Sequence, residues 1–350
     1  MRGDIRKLVK PNVRSLRAYA AKDVPCRVKL DANESPYGFP LIEGIETNRY
    51  PDPEARALRA ALARPLKVAP ANVLVGNGSD EIISYLIMTF GGPVLSLTPT
   101  FVMYDIIARS LGERSLSIPL DPAFDIDLRA TLDCIRREKP RVVFIATPNN
   151  PTGNRPSDGR VERVLRAARG SVVVVDEAYL PFSRALGYCG RLSEFPNLLV
   201  LRTLSKIGLA ALRVGYLVGA EPALAEIGKV RLPFNVSTLS QEFAVRALRD
   251  RAALRRSIRA VVAERTRLAR ALNKLPGLTV HPSEANFIMV GVPDAPSVHA
   301  ALLARGVLVR DLDGAGIVPG ALRVSVGTPA ENDAFLAALG EALSKRRLGT

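Results

Sequence analysis

From residue 73 to about residue 230 the chain alternates two kinds of hydrophobic pattern. Short apolar runs at 94–97, 114–118, 142–146, 172–176, 198–202 and 214–218 are separated by stretches in which apolar residues recur at the helical period, as at 103–111, 128–138 and 159–168. Several runs are apolar at every position, as a strand buried on both faces must be. The pattern therefore predicts a mostly parallel sheet between layers of helices. Beyond Pro233 the pattern changes. A long Ala/Arg/Leu stretch at 240–275 reads as one or two helices, followed by strands at 278–281 and 287–290, a helix at 297–305, strands at 307–310 and 322–326, and a terminal helix from Glu331. The expectation is an α/β fold in three parts: an N-terminal arm that helps complete the smaller lobe (1–40), a large domain (41–235), and a long linking helix with a small α+β domain (236–350).

At 350 residues the chain exceeds what one core usually serves, in keeping with two lobes. Its 47% hydrophobic and 24% charged residues exclude a mainly disordered chain. The opening residues lack a signal-peptide apolar core, and no later run reaches the length of a membrane span, so a cytoplasmic protein without a membrane segment is expected. Cys26, Cys134 and Cys189 are widely spaced and odd in number, which fits a reducing compartment and argues against a disulfide framework or zinc site. With only His281 and His299 present, a His-ligated metal or a Ser-His-Asp machine has little to be built from. No metal is expected, and any base is sought among Lys, Asp, Glu and Tyr. The net charge of +15 raises the question of nucleic acid, but the basic residues are spread along helical stretches such as 251–270, without interleaved aromatics. A solvated basic surface that attracts anionic metabolites is expected instead, with no nucleic-acid partner.

Four segments at predicted strand ends carry candidate chemistry. Gly76-Asn77-Gly78-Ser79-Asp80-Glu81 follows an apolar run and opens an apolar helix, so it can be a phosphate cradle or an ordinary turn capped by Ser79 or Asp80. It is neither a Walker loop nor a dinucleotide fingerprint, because no Gly-Lys-Ser/Thr follows and Glu81 replaces the third glycine. Thr147-Pro148-Asn149-Asn150-Pro151-Thr152-Gly153 is a tight loop at the carboxyl end of a strand, where open α/β sheets bind ligands. Asp176-Glu177-Ala178-Tyr179 puts an acid and a phenol at the same edge, although such an acid can also be only a helix cap. Arg202-Thr203-Leu204-Ser205-Lys206, with Arg213 seven residues after the lysine, can in isolation be a surface turn. Taken jointly, cradle, amide, acid, phenol, lysine and arginine are the set that a phosphorylated aldehyde cofactor requires.

These segments resemble the histidinol-phosphate aminotransferases, members of the aspartate-aminotransferase fold of pyridoxal 5'-phosphate (PLP) enzymes. The resemblance covers nearly the whole chain, through Leu30-Asp31-Ala32-Asn33-Glu34-Ser35-Pro36, Arg49-Tyr50-Pro51, Gly78-Ser79-Asp80-Glu81, Pro99-Thr100-Phe101-Val102-Met103-Tyr104, Pro148-Asn149-Asn150-Pro151-Thr152-Gly153, Asp176-Glu177-Ala178-Tyr179 and Thr203-Leu204-Ser205-Lys206. It continues through Leu212-Arg213-Val214-Gly215-Tyr216, Glu284-Ala285-Asn286-Phe287 and Leu322-Arg323-Val324-Ser325-Val326-Gly327-Thr328. It implies that the large domain binds PLP and that Lys206 holds it as a Schiff base and then shuttles the substrate proton. Asp176 pairs with the pyridinium nitrogen, and Asn150 and Tyr179 hydrogen-bond the ring 3'-oxygen. The backbone of Ser79 and Asp80, the hydroxyls of Thr203 and Ser205, and Arg213 hold the phosphate, while Phe101 stacks on the ring where many members have Tyr. The spacing from Lys206 to Arg213 is one residue shorter than in many members.

For the substrate, the resemblance implies Arg323 on the terminal anion, Arg310 joining it on a phosphate, and Tyr19 and Asn33 lining the same pocket. For Arg310 a loop salt bridge to Asp311 or Asp313 is the competing reading. Tyr50 reaches the neighbouring subunit's cofactor phosphate in the family, so a homodimer is implied. The implied reaction exchanges an amino group between histidinol phosphate and 2-oxoglutarate, giving glutamate, in histidine biosynthesis. Aromatic amino-acid aminotransferases and threonine-phosphate decarboxylases share the scaffold. PLP-fold DNA-binding regulators do too, but the first matching motif begins about 30 residues in, which leaves no room here for a winged helix-turn-helix module.

Overall fold

A computed structural model of the protein describes residues 27–30 and 51–347. In chain order the elements are β1 (Val28–Lys29), α1 (Arg56–Leu66), β2 (Val73–Asn77), α2 (Ser79–Phe90), β3 (Val94–Thr98), α3 (Met103–Ser110), β4 (Ser115–Pro119), α4 (Leu128–Glu138), β5 (Val142–Ala146), α5 (Asp158–Ala167), β6 (Val172–Asp176), β7 (Leu198–Thr203) and β8 (Val214–Val218). There follow α6 (Glu221–Gly228), α7 (Thr238–Arg249), α8 (Arg251–Leu272), β9 (Thr279–Val280), β10 (Phe287–Gly291), α9 (Ala295–Ala304), β11 (Val307–Leu308), β12 (Arg310–Asp311), β13 (Ala321–Ser325) and α10 (Pro329–Arg347).

The large sheet has the order β2-β8-β7-β6-β5-β3-β4. Strands β4, β3, β5, β6 and β7 are mutually parallel, and β8 runs antiparallel between β7 and β2. Alternate residues of these strands feed two apolar layers, as strand geometry requires. Val143, Val173, Val175 and Val200 pack with α1, α4 and α5 on one face, and Phe144, Val174, Leu199, Leu201 and Leu217 pack with α2, α3 and α6 on the other. Burial on both faces is why these strands read as unbroken apolar runs in the sequence. Because β8 is reversed, its first residue lies at the same sheet edge as the last residues of β2, β6 and β7.

The stretch at 240–275 is two helices, and the residue that divides them is Asp250. Its backbone leaves the helical region, and its carboxylate accepts the Ala253 amide at 2.9 Å, so it caps α8 while ending α7. The smaller sheet is antiparallel in the order β12-β13-β10-β9 and packs on Leu268 and Leu272 of α8 and Phe335 and Leu339 of α10. The single strand expected at 307–310 is corrected to two. Val307–Leu308 pairs in parallel with β1 from the N-terminal arm, whereas Arg310–Asp311 leaves that pairing to join β13. No helix among the described residues is long and apolar enough to cross a membrane.

Candidate active site

The groups at the shared sheet edge are assembled by turns that the strands deliver. Gly78 (φ 86°) precedes Ser79, the first residue of α2, and carries no side-chain cap. The capping role considered for Ser79 or Asp80 is therefore corrected: Glu81 takes part instead, accepting the Asn77 amide at 2.6 Å through Oε2. Opposite this turn lies Gly215 of β8, where a Cβ would fall 2.5 Å from Gly78 C and Ser79 N. A Cβ on Gly78 would fall 2.6 Å from Arg213 Nη2. Two glycines thus let the start of α2, a strand and a guanidinium converge, which leaves a positively polarised helix end beside a cation. Arg213 itself sits at φ 51° and reaches Asp80 Oδ2 at 3.2 Å, while Asp80 Oδ1 is buried without a hydrogen-bond partner among the described residues.

On β6, Asp176 is buried, with Oδ1 accepting the Ala178 amide at 3.0 Å and Oδ2 accepting the Tyr104 hydroxyl at 2.6 Å. Burial pushes its carboxyl up to about 6, against the opposing pull of those two hydrogen bonds. The same burial, reinforced by Asp176, holds the Tyr104 phenol well above its ordinary range. An acid so placed is suited to a cationic partner, which restores its charged form. Tyr104 stacks on Phe144 at 4.4 Å and meets Phe101 edge-on at 5.6 Å, so Phe101 is held at the mouth of the pocket. Tyr104 is a site residue that the sequence reading did not single out. Its signal was its place one helical turn after Phe101 in the Pro99–Tyr104 motif, but its contact with Asp176 spans 72 residues of chain.

Beyond β7 the chain turns sharply through Ser205–Leu209 in a π-helical turn, with Gly208 at φ 94°. Thr203 Oγ1 accepts the Ser205 amide at 3.1 Å and donates to Ser205 Oγ at 3.0 Å or Val214 O at 3.2 Å, which ties the turn to the start of β8. This compact turn accommodates the short Lys206–Arg213 spacing. Lys206 Nζ lies 5.8 Å from the centroid of the Tyr179 ring. One pocket is lined by Ser79, Asp80, Phe101, Asn150, Asp176, Tyr179, Thr203, Ser205, Lys206 and Arg213, together with Tyr104, Ala146, Pro148 and Ala178. Ten of the residues expected from sequence are thus brought together.

The smaller lobe touches a lining residue of this pocket, Asn150, through Arg323 on β13. This side chain is only 9% exposed, lies over the Phe287 ring at 5.3 Å and donates through Nη1 to Asn150 Oδ1. Arg310 is its cross-strand partner on β12. Of the acids named as competing partners for Arg310, Asp311 accepts the Gly314 amide at 2.8 Å and Asp313 the Gly320 amide at 2.7 Å, each through Oδ1. Tyr19, Asn33 and Tyr50 lie outside the described residues. A larger cleft, of about 320 Å³, lies elsewhere, between Asp52, Glu54, Arg59, Glu221 and Arg231, but it contains no nucleophile paired with a base and its Arg231–Glu54 pair is closed at 2.8 Å. No cluster of three or more metal-ligating side chains occurs among the described residues.

Residues 17–339 match the family described as aminotransferase class I and II. The chain belongs to that family. Among its relatives, this aminotransferase is 42% identical to the histidinol-phosphate aminotransferase of Methylibium petroleiphilum, covering 97% of this chain and 96% of the relative. It is also 42% identical to the histidinol-phosphate aminotransferase of Aquifex aeolicus, over 96% of this chain and 98% of the relative. Its fold superposes on the crystal structure of histidinol-phosphate aminotransferase from Sinorhizobium meliloti in complex with pyridoxal-5'-phosphate with a TM-score of 0.85, at 26% identity, over 96% and 97% of the two chains.

Proposed function

We propose that the protein is a PLP-dependent aminotransferase that moves an amino group between histidinol phosphate and the glutamate/2-oxoglutarate couple, as a step of histidine biosynthesis. The pocket suits the cofactor on three separate counts. The glycine-built start of α2 beside Arg213 offers an anion site for its phosphate, the buried Asp176 calls for a cation such as the pyridinium nitrogen, and Lys206 lines the same pocket. When bound, PLP supplies an electrophilic carbon and an electron sink for the substrate Cα–H bond.

The protein's own groups do the rest. Lys206 would hold the cofactor through Nζ and would serve as the base that moves the proton at the substrate Cα. Asp176 keeps the ring nitrogen protonated, with Tyr104 fixing its second oxygen. Asn150, Tyr179 and Phe101 line the pocket, where the two polar groups would hydrogen-bond the cofactor and Phe101 would pack against its ring. Ser79, Asp80, Thr203, Ser205 and Arg213 hold the phosphate, with Tyr50 joining from the second subunit.

The observation that carries the substrate assignment is the register of β12 on β13, which sets Arg310 directly opposite the nearly buried Arg323. Like charges directly opposed across strands repel, and an anion placed between them relieves the repulsion. One pair of guanidinium forks can serve a carboxylate in one half-reaction and a phosphorylated amine in the other. An amino-donor panel with 2-oxoglutarate as acceptor tests this reading. Histidinol phosphate should be preferred, and Arg310→Ala should lower kcat/KM on it by about 1.5–3 kcal/mol, roughly 10- to 150-fold. The effect on phenylalanine or tyrosine should be far smaller. Equal losses on both substrates would give Arg310 a structural role, and a wild-type preference for phenylalanine or tyrosine would move the enzyme to aromatic transamination. The reading includes a homodimer in a reducing cytoplasm, which suits the free buried thiols Cys134 and Cys189. It also keeps the division of the chain at about residues 40 and 235.

A further inference from the structure

Glu177 and Arg202 play no part in the chemistry assigned above, yet they are among the most enclosed charges in the molecule. The Glu177 side chain is 0% exposed and that of Arg202 16%, and Glu177 Oε2 accepts from Arg202 Nη2 at 2.7 Å and from Nε at 2.8 Å. Both guanidinium donors converge on the one oxygen Oε2, which fixes the direction of approach and leaves Oε1 for another donor. Its position follows from strand alternation. Arg202 precedes Thr203 and is the cross-strand neighbour of Tyr216, so its side chain leaves the sheet on the face opposite Thr203. Glu177 directly follows Asp176, whose side chain is on the pocket side.

The pair continues into a longer chain of contacts. Glu177 Oε1 accepts the Tyr188 amide at 2.5 Å, the Tyr188 hydroxyl donates to Asp158 Oδ1 at 2.9 Å, and Arg155 Nη2 holds the same oxygen at 2.6 Å. Arg155 adjoins the loop that carries Asn150, so the chain touches three segments that end in the pocket: the loop after β5, the end of β6 and the end of β7. Gly187 (φ 75°) closes over it, and a Cβ there would fall 2.7 Å from Glu177 Oε1 and 3.0 Å from Arg202 Nη2. Tyr216, Cys189 and Arg155 also act on the pair, and Glu177 in turn acts on the Asp176 carboxyl.

We infer that Glu177 and Arg202 are positioning residues, which fix the ends of β6 and β7 from behind the sheet so that Asp176 and Lys206 keep one mutual geometry. A buried pair is seldom retained for stability alone, since well-packed apolar residues of similar size often serve as well or better. Here what it adds is register between two adjacent strand ends that each deliver a reacting group.

The inference rests on the PLP reading, and the experiment separates the two. In the Glu177→Met/Arg202→Met holoenzyme, three quantities are compared with wild type: the thermal midpoint, the pH midpoint of the bound cofactor's visible absorbance, and kcat with KM. A positioning role predicts a thermal midpoint near wild type, a displaced absorbance midpoint and a kcat lower by about 10²-fold, the loss expected from a misplacement of the order of 1 Å. KM should change little. A folded double variant with wild-type absorbance titration and kcat overturns the inference. If the double variant does not fold, Arg202→Lys decides. It keeps the charge but not the fork, and a displaced absorbance midpoint with reduced kcat supports positioning, whereas wild-type values refute it. Absence of any cofactor absorbance in the wild-type protein would instead remove the PLP reading itself.

Discussion

At the scale of single residues the most exposed commitment is Lys206. Borohydride reduction of the yellow protein should remove its visible absorbance and leave the label on the peptide containing Lys206. Lys206→Ala should abolish turnover, because the proton shuttle alone is worth roughly 10²–10⁴-fold. Asp176 allows a test without the cofactor. Its folded-state value of about 6 lies above the ordinary 3.8, so its contribution to stability is complete below pH 3.8 and is lost as pH rises through about 6. At pH 7 the cofactor-free protein therefore carries a buried charge that the Tyr104 and Ala178 hydrogen bonds offset only in part, costing on the order of 3 kcal/mol. Asp176→Asn should raise the thermal midpoint of that form at pH 7 and leave it nearly unchanged at pH 4, while slowing transamination severely. A variant no more stable than wild type at pH 7 would contradict the burial argument. The segments of the large-lobe site were legible because they gather at strand ends, and the resemblance then supplied a role for each residue. Tyr104 was not, because a hydrogen bond across 72 residues of chain leaves no local trace.

At the scale of elements, the close approach of β8 to the start of α2 sets the cradle. Gly215→Ala would drive a methyl group into the backbone of Gly78 and Ser79, where nothing can rotate aside. A loss of about 1–3 kcal/mol of stability is expected from such crowding. Cofactor affinity should fall as well, measured by equilibrium dialysis; unchanged affinity would separate the turn from phosphate binding. The strands were recovered from hydrophobic pattern nearly to the residue, as with 142–146, 172–176 and 214–218, since burial on both faces enforces an unbroken apolar run. The break between β11 and β12 escaped notice for the same reason. Val307, Leu308 and Val309 are all buried, and apolar continuity does not reveal that the chain changes partner.

At the scale of the whole molecule, the two lobes meet at the site through the hydrogen bond from Arg323 to Asn150. If the dimer shares its sites, mixing inactive Lys206→Ala chains with chains inactivated at Tyr50 should restore part of the activity, and a fully active monomer at nanomolar concentration would end that expectation. One feature of the sheet bears on how the chain tolerates change. All the large-lobe groups of the pocket enter from a single sheet edge, so the connections at the opposite edge are free of chemistry. The turn between α5 and β6 is one of these, and a Cβ at Gly170 meets nothing within 4 Å. Lengthening a flexible loop is entropically mild, about 0.6 kcal/mol for each doubling. A short Gly/Ser insertion after Gly170 should therefore leave kcat and KM intact, whereas the same insertion at Ile207 should abolish both cofactor retention and turnover. The chain can thus be opened for splicing or permutation on one side of its sheet and not on the other.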